Sequence, residues 1–419
     1  MKKLNDICQW TSIIGFLMVI SSIPYGWSAY QRIACIVMLT GYILYLIFNR
    51  QWEVWKWTSG KWVYVTMIAL WAMLPLRQLF DPTPPTWYYW HQLHCHHWFL
   101  FVGIVGLLGA TDKIRLWHVA LTMLATSIFM LVHCGYLYFG TTEFEGMMPL
   151  MRMKFLREAH INSHMVMDLY VNTALILGFA IYRSLPRIGH KLLLALAMVL
   201  SWLLIWLSDG RIGMFTSLIV ISVGLTYLLY SRNKYAGIAT AVVLVLMSVV
   251  AMLQRPRMAH DEVATDPRFV VWDYSVRMAK EKPICGYGMS SLSEQYVKRA
   301  YTDSAMYAGY VEKIILPIPE FAVQGKTMST HHPHNAFLMY WLAIGIIGVV
   351  LLCALFVTGA MIPSGENRLF LWLFLLALFL QCLTEPIGSH LHPQFIAMML
   401  FAWELCGRHA GRASTCAVH

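Results

Sequence analysis

His334 and Asn335 stand directly before a long apolar run, with nine residues between Asn335 and Gly345 and two more before Gly348. A neutral imidazole can take a proton from a hydroxyl near neutral pH. His334 is therefore a candidate general base, and Asn335 a candidate for orienting an acceptor or holding the ring. The plainer alternative is a histidine at a helix start. Arg211, in Ser208-Asp209-Gly210-Arg211, borders the next apolar run. Its guanidinium either snorkels to an interface beside Asp209 or offers a planar fork to phosphate oxygens. Arg268, in Asp266-Pro267-Arg268, is either a solvated arginine or a second cation that shares a diphosphate with Arg211. Glu385, before Pro386, orients an arginine or histidine, or simply ends an apolar segment. His332 is a further supporting candidate beside His334. His91, His94, Cys95, His96 and His97, taken with His331, His332, His390 and His392, are the densest set of zinc- or copper-binding residue types. Their spacing fits no standard zinc pattern, and interfacial aromatics account for them equally well, so no metal is assigned.

These residues need elements to hold them, and the composition says which kind. Of 419 residues, 58% are apolar and only 12% charged, against roughly 25% charged in soluble chains. Apolar stretches near 20 residues recur along the whole length, as in a polytopic membrane protein. Met1-Lys2-Lys3 before an apolar run suits a signal peptide, but no small-residue cleavage site follows, so a retained first helix is expected. The net charge of +10 does not indicate nucleic-acid binding, because most of the basic residues lie singly or in pairs at span ends. The nine cysteines contain no CxxC pair and imply no disulfide framework.

Twelve spans are predicted, at 10–28, 31–49, 61–78, 97–111, 115–138, 164–182, 190–207, 211–230, 235–253, 334–357, 368–386 and 391–407. With the N-terminus inside, cytoplasmic segments hold fifteen basic residues and the short outer segments six, which supports inside termini. Thirteen of the seventeen histidines then fall on or near the outer face. The chain divides into nine spans over 1–253, a long outer loop over 254–333, and three spans over 334–419. Outer residues 139–163 suggest an amphipathic interfacial helix. Within the long loop, a helix is expected from Asp266-Pro267 to just before Pro283, with Phe269, Trp272, Val276 and Ala279 on one face.

In these motifs the chain resembles the O-antigen ligase family, and the superfamily it shares with O-antigen polymerases and bacterial protein O-oligosaccharyltransferases. His334-Asn335 with Gly345 and Gly348 fits the family's His-Asn, nine residues, Gly, two residues, Gly pattern. Arg268, Trp272, Pro283, Gly286 and Gly288 fit its Arg-x-x-x-Trp and Pro-x-x-Gly-x-Gly pattern. Leu383-Thr384-Glu385 resembles a recurring tripeptide. Ser208-Asp209-Gly210-Arg211 is similar to a Ser-Arg motif but departs from it by the inserted Asp-Gly. The motif-bearing part is about residues 200–390.

The resemblance implies an all-α, GT-C-like glycosyltransferase of about twelve transmembrane helices with one long periplasmic loop. It implies a metal-independent, inverting transfer in the bacterial inner membrane, at the periplasmic face, with no cofactor. The donor would be a glycan on undecaprenyl diphosphate, held by Arg211 and Arg268, and the acceptor lipid A–core, with His334 as base. Two alternatives stay open: a polymerase or protein O-oligosaccharyltransferase with the same donor, and a metal-binding transporter built on the outer-face histidines.

Overall fold

A computed structural model describes residues 2–25, 28–49, 59–108, 113–140, 159–161, 163–208, 210–253, 267–300, 302–304, 333–385 and 392–416. Among these the chain is helical. The helices in order are α1 (Lys2–Ser22), α2 (Ser28–Asn49), α3 (Trp62–Gln78), α4 (Trp87–Leu108) and α5 (Leu116–Gly140). They continue with α6 (His164–Tyr182), α7 (Ile188–Leu207), α8 (Arg211–Tyr230), α9 (Lys234–Leu253), α10 (Pro267–Glu281) and α11 (Met289–Ala300). The last four are α12 (Ala336–Ile344), α13 (Ile346–Ala360), α14 (Arg368–Thr384) and α15 (His392–Cys416). Seven of them, α1, α2, α5, α6, α7, α8 and α14, are long and apolar enough to cross a membrane by length and composition. A polytopic membrane protein follows from these helices, because a backbone in hydrocarbon must satisfy its own hydrogen bonds.

α6 is the axis of the bundle. It is predominantly apolar, with Asp168, Asn172 and Thr173 buried among its apolar side chains, and it is buried along nearly its whole length, packed by α5, α7, α8 and α14. Such all-round burial is what a helix with apolar side chains around its whole circumference requires. α7 and α9 turn leucine and valine outward instead, at Leu192, Leu196, Val199, Val242 and Leu246, as lipid-facing helices do. α3, α4, α13 and α15 form a second packed group.

Several contacts orient the bundle. Tyr227, near the end of α8, meets Phe370, at the start of α14, edge to face at 5.2 Å. Arg183, just past α6, donates to the Tyr227 hydroxyl at 3.1 Å. The last turn of α6, the last turn of α8 and the first turn of α14 therefore share one end. His164, Arg211 and Thr384 lie at the opposite end of these helices. Arg77, at the end of α3, reaches the turn after α10 there.

Three expectations are corrected. The fourth predicted span starts ten residues earlier than expected, because α4 begins at Trp87 and takes the histidine cluster into its first three turns. The span predicted at 334–357 is two helices, broken at Gly345. The buried face of α10 is Val271, Tyr274, Ser275, Met278 and Ala279, while Phe269 is half exposed. Hydroxyls explain that shift. Tyr274 donates to the Tyr296 carbonyl at 2.8 Å, and Ser275 meets the Tyr296 hydroxyl at 2.8 Å, so α10 packs on α11 through groups an apolar pattern ignores. Most of the predicted interfacial helix at 139–163 falls outside the described residues, as do Asp209, His331, His332 and His390.

Candidate functional site

The site is assembled from three segments distant in sequence. Trp272, one turn beyond Arg268 in α10, donates its indole N–H to the Pro333 carbonyl at 3.0 Å. This pins the residue before His334. Asn335 pins the residue after it: its Oδ1 accepts from the Leu338 N–H at 3.0 Å as the N-cap of α12. Its Nδ2 donates to the Leu383 carbonyl at 3.0 Å, tying α12 to the last turn of α14. His334, held between them, takes a left-handed backbone with φ +48°. A non-glycine residue there costs roughly 1–3 kcal/mol and persists only where neighbours over-determine it. Asn335 therefore acts through the backbone it holds.

Glu385 follows α14 in extended conformation and is 6% exposed. Its Oε1 lies 3.7 Å from His334 Nδ1 and 3.8 Å from Arg268 Nη2. These are ion-pair distances, longer than hydrogen bonds. A carboxylate facing Nδ1 favours the tautomer with the proton on that nitrogen and leaves Nε2 as the proton acceptor. The same carboxylate draws Arg268 toward the imidazole. Sequence reasoning named His334, Asn335, Arg268 and Glu385 separately; the structure brings the four together.

Arg211 is set by a different junction at the same end of the bundle. Ser208 donates to Asp168 Oδ1 at 3.0 Å, and the Gly210 N–H donates to Ser208 Oγ at 3.3 Å. Asn172 donates to the Gly213 carbonyl at 3.0 Å. Asp168 Oδ2 sits where side chains at two glycines would point: a Cβ would come within 1.8 Å of it at Gly210 and 2.2 Å at Gly213. Glycine at these two positions is thus a condition of the turn that presents Arg211. Sequence analysis missed Asp168 and Asn172. The signal was available, because an acid and an amide four residues apart inside an apolar run are costly unless they are used.

The segment after α10 closes the break in the helix pair α12 and α13. The N–H groups of Tyr287 and Gly288 donate to the Leu342 and Ala343 carbonyls at 2.7 and 3.0 Å, and the Ile346 N–H donates to the Pro283 carbonyl at 2.9 Å. Gly345, at φ +82°, passes so close that a Cβ would lie 1.9 Å from the Ile284 carbonyl oxygen. Arg77 fastens the turn from α3, donating to the Cys285 and Gly286 carbonyls at 2.7 and 3.2 Å. Below the turn, Arg299 donates to Glu281 and holds its carboxyl below the usual carboxylate range, with burial opposing and Tyr287 assisting. Burial pushes the Tyr287 hydroxyl up to about 12. The glycine spacings thus mark a crossing of two backbones that steadies both Arg268 and His334.

The histidines of α4 do other work. His96 is buried, with Nδ1 2.8 Å from the Gln92 carbonyl and Nε2 2.6 Å from the Tyr340 hydroxyl. A carbonyl only accepts, so Nδ1 carries the proton and Nε2 accepts from Tyr340, joining α4 to α12. His91 stacks on Trp87, and His94 on His97. Among the described residues no three His, Cys, Asp or Glu side chains are grouped to hold a metal.

The sequence has known counterparts. Residues 196–353 match the family profile described as O-antigen ligase. This stretch carries Arg211, Arg268, His334, Asn335 and both glycines of the break, and it stops short of Glu385. Over 131 residues the chain is 32% identical to a Rickettsia conorii protein provisionally named a polysaccharide ligase. That match covers 30% of this chain and 28% of the relative, so the chain spans little more than a quarter of that protein's length.

Proposed function

We infer that this chain, a member of the O-antigen ligase family through residues 196–353, is a glycosyltransferase that moves a glycan from undecaprenyl diphosphate to lipid A–core at the periplasmic face of the inner membrane. The observation that carries this reading is the meeting of Glu385 with both His334 and Arg268, at 3.7 and 3.8 Å.

In this reading Arg268 and Arg211 bind the diphosphate of the donor. The acceptor hydroxyl attacks the anomeric carbon from the face opposite the diphosphate and inverts it. The new bond is anomeric carbon to acceptor oxygen, and the broken one is anomeric carbon to phosphate oxygen. The bonding pair leaves with the diphosphate, whose charge the arginines neutralise, so the leaving group needs no proton from an acid. The acceptor proton passes to Nε2 of His334, and Glu385 stabilises the imidazolium that forms. Asn335, Trp272 and the crossing at Gly345 hold the geometry.

The test uses purified protein, lipid-linked glycan, and either lipid A–core or a second lipid-linked glycan as acceptor. Transfer to lipid A–core is expected, unaffected by a chelator, and His334→Ala should abolish it with the fold intact. Transfer only to the second lipid-linked glycan would replace the ligase assignment with a polymerase. Near-normal turnover in His334→Ala would remove His334 from the mechanism.

A further inference from the structure

The end of the bundle remote from the candidate site holds a cavity of about 440 Å³ between α5, α6, α8 and α14. Two guanidiniums line it: Arg115, which precedes α5, and Arg183, which follows α6. Arg183 is held in place. Its Nη1 donates to the Tyr227 hydroxyl at 3.1 Å, its guanidinium carbon lies 5.5 Å from the centre of the Tyr227 ring, and that ring is backed by Phe370. A side chain fixed by both a hydrogen bond and a cation–π contact has already lost the freedom that snorkelling needs. Among the described residues no ion pair joins either arginine to Glu366, the acid on the rim. The rest of the lining is mixed: Leu116, Ala180, Ile181 and Phe370 are apolar, Ser184 and Asn367 are polar, and Trp117 is 49% exposed. Arginines, a half-exposed tryptophan and a lining that mixes apolar side chains with Ser184 and Asn367 at a helix-bundle end are the features of a headgroup pocket at a membrane interface.

We propose that this cavity binds an anionic phosphate, with Arg115 and Arg183 as its ligands, and that the phosphate is the singly charged phosphodiester of a membrane lipid. Glu366 argues for that source. Its carboxylate opposes a doubly charged inorganic phosphate more strongly than a singly charged diester, while Leu116, Trp117, Ala180, Ile181 and Phe370 suit the glycerol and upper acyl carbons. The basic-residue count puts this end on the cytoplasmic side, where anionic lipid is concentrated. The proposal is independent of the transfer reaction.

Native mass spectrometry of the full chain, released from nanodiscs containing phosphatidylglycerol and phosphatidylcholine, tests it. Wild type should retain phosphatidylglycerol preferentially. Arg115→Gln with Arg183→Gln should lower that retention about 10-fold or more, the effect of losing charge-assisted hydrogen bonds. Tyr227→Phe keeps the ring and loses the hydroxyl, and should weaken retention by a smaller factor. Arg187→Gln, whose side chain is outside the cavity lining, should match wild type. A parallel arm titrates inorganic phosphate and follows thermal unfolding. Stabilisation by phosphate that disappears in the double variant, without selective lipid retention, keeps the phosphate site and overturns the lipid source. Equal lipid retention in wild type, the double variant and Arg187→Gln, with no response to phosphate, overturns the site. Unfolding temperatures without added lipid separate loss of binding from loss of fold, and Tyr227→Phe decides the case if the double variant does not fold.

Discussion

At the residue scale, the proposed chemistry rests on one carboxylate placed between two potential cations. Glu385 lies 3.7 Å from His334 and 3.8 Å from Arg268, and is almost fully buried. Glu385→Gln keeps the shape and removes the charge. It should lower kcat by a part of the ~10²–10⁴-fold that a positioned proton acceptor contributes. Glu385→Asp should recover some of that loss, and the pH profile of kcat should change in Glu385→Gln if the carboxylate sets the imidazole. A Glu385→Gln enzyme with unchanged kcat and pH profile would show that the carboxylate is only packing. Asn335 belongs to another category. With its carbonyl capping α12 and its amino group on the Leu383 carbonyl, it positions backbone, and its worth is that of a cap and a tether.

At the element scale, the broken helix and the turn that fills its break matter most. Gly345 combines φ +82° with a backbone oxygen where a side chain would go. Gly345→Ala should destabilise the protein by roughly 1–3 kcal/mol from the backbone alone, and by more because the Ile284 carbonyl must move. Thermal unfolding measures this, and an unchanged midpoint would contradict the crossing. The α10–α11 pair carries a pH-dependent contribution. Arg299 depresses the Glu281 carboxyl, so the ion pair's stabilising effect is present above the unfolded carboxylate pKa of about 4.3 and is lost as pH falls through the lower folded value. Glu281→Gln should therefore lower the unfolding midpoint near pH 7, and its gap from wild type should close as pH drops below that range. A gap that stays constant with pH would assign the difference to packing. Being exposed, the pair contributes modestly.

At the scale of the whole molecule, polar function is segregated by end. The end with His334, Arg268 and Arg211 also collects Arg77, Asp168 and the turn at residues 283–288. The other end collects Arg115, Arg183 and the cavity they line. In the proposed orientation, with the N-terminus inside, the first end faces outward. Cys285 is exposed in the turn beside Arg77; Cys353, also exposed, lies within the apolar helix α13, and Cys8, Cys95, Cys134 and Cys382 are buried. A membrane-impermeant maleimide added to spheroplasts should label Cys285, and Cys285→Ser should abolish that signal. Labelling of Cys285 only in inverted vesicles would reverse the orientation.

Much of this protein is legible in one dimension. Apolar runs near the length of a membrane span are a property of local composition; helices lie at the predicted runs, two of them at 334–357, and seven among the described residues are long and apolar enough to cross a membrane. The loop helix was expected from Asp266-Pro267 to before Pro283, and it runs Pro267–Glu281. His334, Asn335, Arg268 and Arg211 are candidates by residue type and position, and the family resemblance implies their roles, since such motifs are short stretches of chain. What needed the tertiary structure was every relation between stretches. That Glu385 serves both His334 and Arg268 depends on α14 ending beside the start of α12, across about fifty residues of sequence. That Asp168 shapes the turn before Arg211 depends on α6 packing on α8. The α4 histidines are metal-binding residue types to which no metal is assigned from sequence, and only the fold shows that His96 pairs with Tyr340, 244 residues away. Periodicity also misplaced the buried face of α10, because it counts apolar side chains and misses hydroxyls that pair across an interface. Composition and spacing choose the helices and the reactive groups; close packing against distant segments decides which of those groups meet.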